Sequence, residues 1–214
     1  GGRTIGLALH GSIIYGIIIK YMAKLPLSGF LRASRPAQLI AFSTSSSSAA
    51  LPVSMECAEE NMGVSNPVAS FVIPLGSTVN MDGTALYQGV AAIFIAQVFQ
   101  MDLSFGDQVG IVATATMASV GAAGVPGAGM VTLAMVLTAT GIPTVGVALI
   151  LGMDRLLDMF RTALNVTGDL AVTAAMARSE GDDLRILTKH EDVKDAKRGF
   201  ERRLEGGQEP VEPD

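Results

Sequence analysis

The sequence predicts an all-α membrane protein built from helices and re-entrant helical hairpins. Charged residues make up 16% of the chain, whereas an ordinary soluble domain carries about a quarter. Residues 36–55 and 108–153 carry no charge, and residues 61–101 carry only Asp82. Each of these stretches reaches the roughly 20 apolar residues that a membrane span needs. The single cysteine excludes a disulfide scaffold.

The first apolar segment, about residues 5–23, has the length and composition of a transmembrane helix. His10 within it is expected to be a packed helix residue. The residues at its end and just beyond it include four cations and no acid, namely Lys20, Lys24, Arg32 and Arg35. The positive-inside rule places this end on the cytoplasmic side.

A serine run interrupts the next apolar segment, in the sequence STSSSSAALP at residues 43–52. Serine and proline at this point leave backbone groups without partners in lipid, so the break must be buried in protein or line a cavity. The sequence therefore predicts a re-entrant hairpin over about residues 33–60. Its tip lies near Ser45 to Ser48, and both of its ends return to the cytoplasm.

Two further interruptions divide the rest of the chain. The motif NMDGT at residues 80–84 separates two apolar runs and predicts a helix over about residues 66–101 that is unwound at its centre. The motif GAAGVPGAG at residues 121–129 predicts the tip of a second hairpin, about residues 108–143. Paired interrupted segments in two successive units are typical of the binding site of a transporter.

The last apolar helix is predicted over about residues 145–176, and it carries a polar stripe. Six of its polar residues fall within an arc of roughly 100° at helical spacing: Asp154, Asp158, Arg161, Thr162, Asn165 and Asp169. Beyond it, residues 179–214 form a charged tail. A surface helix is the alternative, but such helices show a lysine-rich face without this mixture of signs.

The charges inside the apolar body indicate the chemistry of the ligand. An intramembrane carboxylate such as Asp82 is costly unless it is paired, hydrated or bound to a cation. A guanidinium such as Arg161 holds a planar carboxylate in two hydrogen bonds, and Asp158 one turn away suits an ammonium. These two side chains together point to an acidic amino acid. Hard cations require oxygen ligands, and candidates are Asn80, Asp82, Asn165 and Asp169.

Four motifs carry a resemblance to a known family: residues 43–52, 80–84 and 121–129, and DRLLDMFRTALNVTGD at residues 154–169. In these motifs the chain closely resembles the dicarboxylate/amino acid:cation symporter family, the sodium-coupled glutamate and aspartate transporters. The resemblance covers most of residues 5–178. It implies an elevator-type transport domain with two re-entrant hairpins, a broken seventh helix and a polar-striped eighth helix. The N-terminal half, which carries the trimerising scaffold of the homotrimer, is then missing from this chain.

The resemblance also assigns residues by position. Substrate would be bound by Ser46, Ser47, Thr84, Val125, Gly129, Asp158, Arg161, Thr162 and Asn165. A first sodium site would use Gly76, Asn80, Asn165 and Asp169. A second site would use Thr78, Ser119, Val120 and Ala122. A third site would use Asp82 with Asn80 and residues of the missing half. Some relatives carry an arginine where this chain has Ser45 or Met159. We hypothesise that Arg155 supplies that charge near Asp158.

The expected function is uptake of glutamate or aspartate by alternating access, coupled to sodium, with no cofactor and no enzymatic activity. The resemblance places the protein as a multi-pass protein in a bacterial inner membrane, in contact with lipid, with its tail in the cytoplasm. Nothing in the sequence indicates nucleic-acid binding. Alternatives are a proton-coupled or C4-dicarboxylate symporter of the same family and, from other classes, a channel or an intramembrane hydrolase.

Overall fold

The computed structural model describes residues 9–186, and this part of the chain is helical throughout, with loops but no strands. The all-α prediction is therefore confirmed. Residues 1–8 and 187–214 lie outside the described part, and with them lie the start of the first predicted helix and most of the predicted tail.

The first segment is helical over residues 9–22 and contains two π-helical stretches, Gly11–Tyr15 and Ile18–Met22. It is followed by the helix α1, Leu27–Thr44. No single helix within residues 9–186 is both long enough and apolar enough to cross a membrane. The first segment and α1 meet both conditions together, and they are bent by 113° where they meet.

Helices α1 and α2 (Ser47–Glu56) form hairpin 1, whose chain reverses at Ser45 and Ser46. Ser45 has φ +53°, in the left-handed region, and ends α1. The Ser46 hydroxyl accepts a hydrogen bond from the Ala49 N–H at 3.1 Å, which caps α2. The serine run therefore ends one helix and starts the next, and a π-helical stretch, Cys57–Asn61, continues α2.

The broken helix consists of α3 (Asn66–Val79) and α4 (Asp82–Val98), separated by Asn80 and Met81. The sequence predicted an unwound centre around residues 80–84, whereas in the structure the second half already begins at Asp82. A carboxylate in the first turn of a helix is favoured by the helix dipole, which explains this early start.

Hairpin 2 consists of α5 (Phe105–Ser119) and α6 (Ala128–Ala139). A capping box opens α5, since the side chains of Ser104 and Asp107 each bond the backbone of the other. Hydrogen bonds from Ser104 hold the pKa of the Asp107 carboxyl below its ordinary value. The tip, residues 120–127, contains two glycines with positive φ.

A short 3₁₀ turn, Thr144–Val147, leads into the long helix α7, Ala148–Glu180. Helix α7 joins the two hydrophobic cores of the described residues. Its second half packs with hairpin 1 and α3, where Phe30 and Leu170 are fully buried, and its first half packs with α4 and hairpin 2 around Ile95 and Leu137. The polar stripe of α7 lies at the junction between these cores.

Many large apolar side chains face outward on these helices. Phe105 is 82% exposed, Met117 78% and Phe71 69%, and further examples lie on the outer face of α7 at Leu156 and Phe160. Exposed apolar surface of this extent is characteristic of a chain that meets a membrane or another protein surface.

Candidate functional site

All six side chains of the predicted polar stripe on α7 are buried, each with at most 8% of its surface exposed. The opposite face carries Leu156 and Phe160, which are 54% and 46% exposed. A surface helix would present the reverse arrangement. The stripe therefore faces the interior, where charged groups require partners.

Asp158 receives hydrogen bonds from three directions. The Arg161 guanidinium donates through Nη2 to Oδ1, and the Thr162 hydroxyl donates to the same oxygen at 3.3 Å. The other oxygen accepts the backbone N–H of Gly127 at 3.0 Å. Asp158 thus joins α7 to the tip of hairpin 2.

Arg161 is held by an aromatic ring as well as by Asp158. Its guanidinium carbon lies 4.6 Å from the centre of the Tyr87 ring, in a cation–π contact. The Tyr87 hydroxyl donates to Asp154 Oδ1 at 2.6 Å. The Arg161 Nη1 atom is buried and has no hydrogen-bond partner among the described residues. A buried, unpaired guanidinium nitrogen is what a binding site for an anionic group needs.

The tips of the two hairpins touch each other. The Ser46 hydroxyl donates to the Gly124 carbonyl at 2.7 Å, and the Ser48 N–H donates to the same carbonyl at 3.1 Å. These two bonds hold hairpin 1 to hairpin 2 above the polar stripe. The two tips and the middle of the stripe thus line one common space.

A cavity lies beneath the tips. It is lined by Ser45, Ser47, Met81, Thr84, Ala122, Ala123, Gly124, Val125, Ala128, Gly129, Asp158, Arg161, Thr162 and Asn165. Eight of the nine residues expected to bind substrate line this cavity, and Ser46 instead bonds hairpin 2. The Arg155 side chain is exposed and does not line the cavity, so its predicted place beside Asp158 receives no support from this arrangement.

Asn165 connects α7 to the start of α4. Its amide oxygen accepts the Gly83 N–H at 2.8 Å, and its amide nitrogen donates to the Thr84 hydroxyl at 3.1 Å. The NMDGT motif is therefore fixed directly on the polar stripe, which brings Thr84 to the cavity wall.

Two of the residues expected to bind the first sodium ion, Gly76 and Asn80, lie against Asp169, whereas Asn165 bonds the start of α4. The Asn80 amide nitrogen donates to Asp169 Oδ1 at 3.0 Å. The same oxygen would lie 2.7 Å from a Cβ added at Gly76, so α3 approaches this carboxylate with its bare backbone. Asp169 is 3% exposed. A buried carboxylate beside backbone and amide oxygens provides the ligand chemistry that suits a hard cation.

The residues expected at the second sodium site lie where the end of α3 meets hairpin 2. The Gly121 N–H donates to the Thr78 carbonyl at 2.7 Å, which places Thr78 beside Ser119, Val120 and Ala122. The oxygens in this group that could bind a cation are backbone carbonyls and the hydroxyls of Thr78 and Ser119.

Asp82 has partners that the sequence did not predict. The Tyr15 hydroxyl donates to Asp82 Oδ2 at 3.0 Å, and His10 Nε2 lies 3.0 Å from the same oxygen. Asn80 turns to Asp169 and not to Asp82. The His10 ring packs edge-on against Tyr15, and His10 is in addition a polar partner of the predicted cation ligand.

Gly129 is required by the close approach of Arg161 to α6. A Cβ at this position would overlap Nη1 and lie 2.5 Å from the guanidinium carbon. Gly129→Ala should therefore displace the guanidinium, and overpacking of this kind costs about 1–3 kcal/mol. We expect weaker ligand binding and a lower melting temperature in the full-length protein. Gly110→Ala is the control, since nothing lies within 4 Å of the added Cβ, and an equal effect of both variants would contradict this account.

The model of the sodium:dicarboxylate symporter family matches residues 3–179. The chain belongs to this family. Its members are transporters and not enzymes, which places this chain among membrane proteins.

The curated relatives of this chain include excitatory amino acid transporters. It is 49% identical over 172 residues to excitatory amino acid transporter 5 of Homo sapiens, covering 80% of this chain and 31% of the relative. It is 51% identical over 164 residues to an excitatory amino acid transporter of Caenorhabditis elegans, covering 77% and 33%. Excitatory amino acid transporter 3 of Oryctolagus cuniculus is 46% identical over 188 residues, covering 88% and 36%. The chain spans about a third of the length of these relatives.

Proposed function

We propose that this chain is the C-terminal part of the transport domain of a sodium-coupled symporter that takes up the acidic amino acids glutamate and aspartate. One observation carries the proposal: a cavity between the hairpin tips and α7 contains the Asp158–Arg161 pair, and Arg161 Nη1 has no partner there among the described residues. A carboxylate of the substrate supplies the missing acceptor. The names of the excitatory amino acid transporters among the relatives agree with this substrate class.

The charges of the cavity favour an amino acid over a simple dicarboxylate. Arg161 binds the side-chain carboxylate, and Asp158 binds the ammonium group after exchanging its bond to Arg161 for one to the substrate. Both groups are 3% exposed, so each depends on a partner of opposite charge. A C4-dicarboxylate leaves Asp158 without an ammonium, and a neutral amino acid leaves Arg161 without a carboxylate.

Sodium coupling is supported by the oxygen-rich surroundings of Asp169. The backbone of Gly76 and the Asn80 side chain lie against one buried carboxylate, and the Asn165 amide supplies a further oxygen on the same helix, which together make a ligand set for a small hard cation. Proton coupling is the alternative. It requires Asp169 to carry the proton itself, and it leaves no role for the neutral oxygens around it.

Hairpin 2 is the element through which binding controls closure. The Gly127 N–H bonds Asp158 in the substrate site, and the Gly121 N–H bonds Thr78 in the second cation site. Substrate and sodium therefore each change a contact that fixes the tip of this hairpin. Closure of the tip over both ligands then permits the domain to move across the membrane, which is alternating access by an elevator movement.

The whole protein is proposed to be a homotrimer. Its N-terminal scaffold holds the trimer together and completes the third sodium site at Asp82. We place the whole protein in a bacterial inner membrane, with its charged tail in the cytoplasm. The residues of the tail beyond 186 lie outside the described part of the chain.

Uptake by the full-length protein in liposomes tests this function. We expect saturable accumulation of radiolabelled aspartate against its gradient when sodium is higher outside, and none when choline replaces sodium. Passive, non-saturable flux would indicate a channel. Uptake that follows a proton gradient in the absence of sodium would support the proton-coupled alternative.

A further inference from the structure

The chain continues past α7 as a short segment, residues 181–186, that turns back against the base of hairpin 1. Gly181 ends α7 with φ +97°, in the left-handed region that glycine adopts without strain. The Asp182 N–H then donates to the Ala177 carbonyl at 2.9 Å, which closes the turn. Leu184 is 5% exposed and belongs to the hydrophobic core around hairpin 1. The segment is therefore packed into the fold.

Arg178, in the last turn of α7, holds this segment in place. Its Nε donates to the Ala23 carbonyl at 3.2 Å, directly after the first segment of the chain. Its Nη2 donates to the Leu184 carbonyl at 3.2 Å, and its Nη1 donates to the Asp182 carbonyl at 3.4 Å. The guanidinium carries several donors in one rigid plane, which lets it serve three acceptors. One side chain thus ties α7 to the end of the first segment and to residues 181–186.

The same segment contacts hairpin 1 at both ends. The Arg185 N–H donates to the Met62 carbonyl at 3.2 Å, directly after the π-helical stretch that continues α2. At the other end, a Cβ added at Gly29, in the first turn of α1, would lie 2.9 Å from the Ile186 side chain. The two ends of the hairpin are therefore held against one stretch of chain.

The Asp182 carboxylate fixes the start of α3 as well. It accepts the N–H of Ser65, the N-cap residue of that helix, at 2.8 Å. A carboxylate at this end of a helix is favoured by the helix dipole. The neighbouring Asp183 carboxylate is 85% exposed and lies 3.7 Å from the exposed Arg185 guanidinium, which is a weak surface contact. Two adjacent carboxylates thus differ sharply in their surroundings.

We propose that residues 178–186 form a clasp that keeps hairpin 1 closed at its base. The tip of this hairpin lines the cavity at Ser47 and bonds hairpin 2 through Ser46. Because the tip and the base belong to the same pair of helices, opening of the base tilts the tip away from the cavity. The clasp therefore holds one wall of the cavity in place from the far end of the hairpin, whichever substrate the cavity binds.

Hydrogen–deuterium exchange of the full-length, substrate-free protein in lipid nanodiscs tests this, with peptides of the two hairpins followed separately. Exchange reports local opening, and hydrogen bonds to charged groups are strong, so we expect Asp182→Ala and Arg178→Ala to speed exchange over residues 57–66 by about tenfold or more. Hairpin 2 should exchange as in the natural protein. Within the described residues, residues 181–186 form no hydrogen bond with it.

Two control variants separate the clasp from general loss of stability. Asp182→Asn keeps an oxygen acceptor for the Ser65 N–H and should exchange nearly as the natural protein does. Asp183→Ala removes the exposed neighbouring carboxylate and should change nothing. If Arg178→Ala fails to fold, the Asp182 variants decide alone.

Faster exchange confined to hairpin 1 and the start of α3 supports the clasp. Natural exchange in Asp182→Ala overturns it, as does an equal rise in both hairpins. These outcomes do not depend on aspartate or sodium, so the proposed function is judged separately by uptake.

Discussion

Replacing Arg161 with alanine is expected to weaken aspartate binding by more than about 100-fold. The guanidinium is proposed to make two charge-assisted hydrogen bonds to the substrate carboxylate, and each bond to a charged group contributes roughly 1.5–3 kcal/mol. The variant also leaves Asp158 buried without its cation partner in the substrate-free protein, which lowers the stability of that state. The measurement is calorimetric titration of the full-length protein with aspartate at saturating sodium.

The substrate preference of this variant gives a second readout. Asp158 still binds the ammonium group in this variant. The affinity for the free amino acid alanine should therefore fall far less than the affinity for aspartate. Arg35→Ala is the matched control, because Arg35 is exposed on α1 and does not line the cavity. A variant without Arg161 that retained the natural affinity for aspartate would contradict the assignment of Arg161 to the substrate carboxylate.

Replacing Asp169 with asparagine is expected to raise the sodium concentration for half-maximal aspartate binding by roughly tenfold or more, since the charge of the ligands sets the affinity of a cation site. The side chains have nearly the same shape, so the packing against Gly76 should be preserved. The Asn80 amide, which donates to Asp169 Oδ1, keeps an oxygen acceptor in the variant. The effect is therefore expected on sodium and not on folding.

The measurement is a sodium titration of aspartate binding, combined with a thermal melt. Asp183→Asn serves as the control, since this carboxylate is 85% exposed and its contact with Arg185 is 3.7 Å. Exposed pairs of this kind contribute little to stability. An unchanged sodium dependence in Asp169→Asn would remove Asp169 from the coupling mechanism.

The polar stripe could be predicted from the sequence because two independent signals agree there. Helical periodicity puts Asp158, Arg161 and Asn165 on one face, and charge in an apolar helix is costly unless that face is buried. The hairpin tips were indicated by serine, glycine and proline, which end helices for local steric reasons. These predictions depend on short-range chemistry, and the structure has a buried stripe and chain reversals at these positions.

Contacts between distant segments could not be predicted in this way. Tyr87 supports Arg161 through its ring and bonds Asp154, but a tyrosine in an apolar helix carries no signal of such a role. His10 and Tyr15 reach Asp82 from more than 60 residues away. The positive φ of Ser45 could not be predicted either. Four consecutive serines give no indication of which one adopts the left-handed conformation.

Sodium-dependent binding of radiolabelled aspartate to the reconstituted full-length protein, with succinate and alanine as competitors, tests the central claim most directly. The Asp158–Arg161 pair predicts tight binding that requires sodium, with both competitors weak, because succinate lacks the ammonium and alanine lacks the second carboxylate. Strong competition by succinate together with no binding of aspartate would contradict the claim.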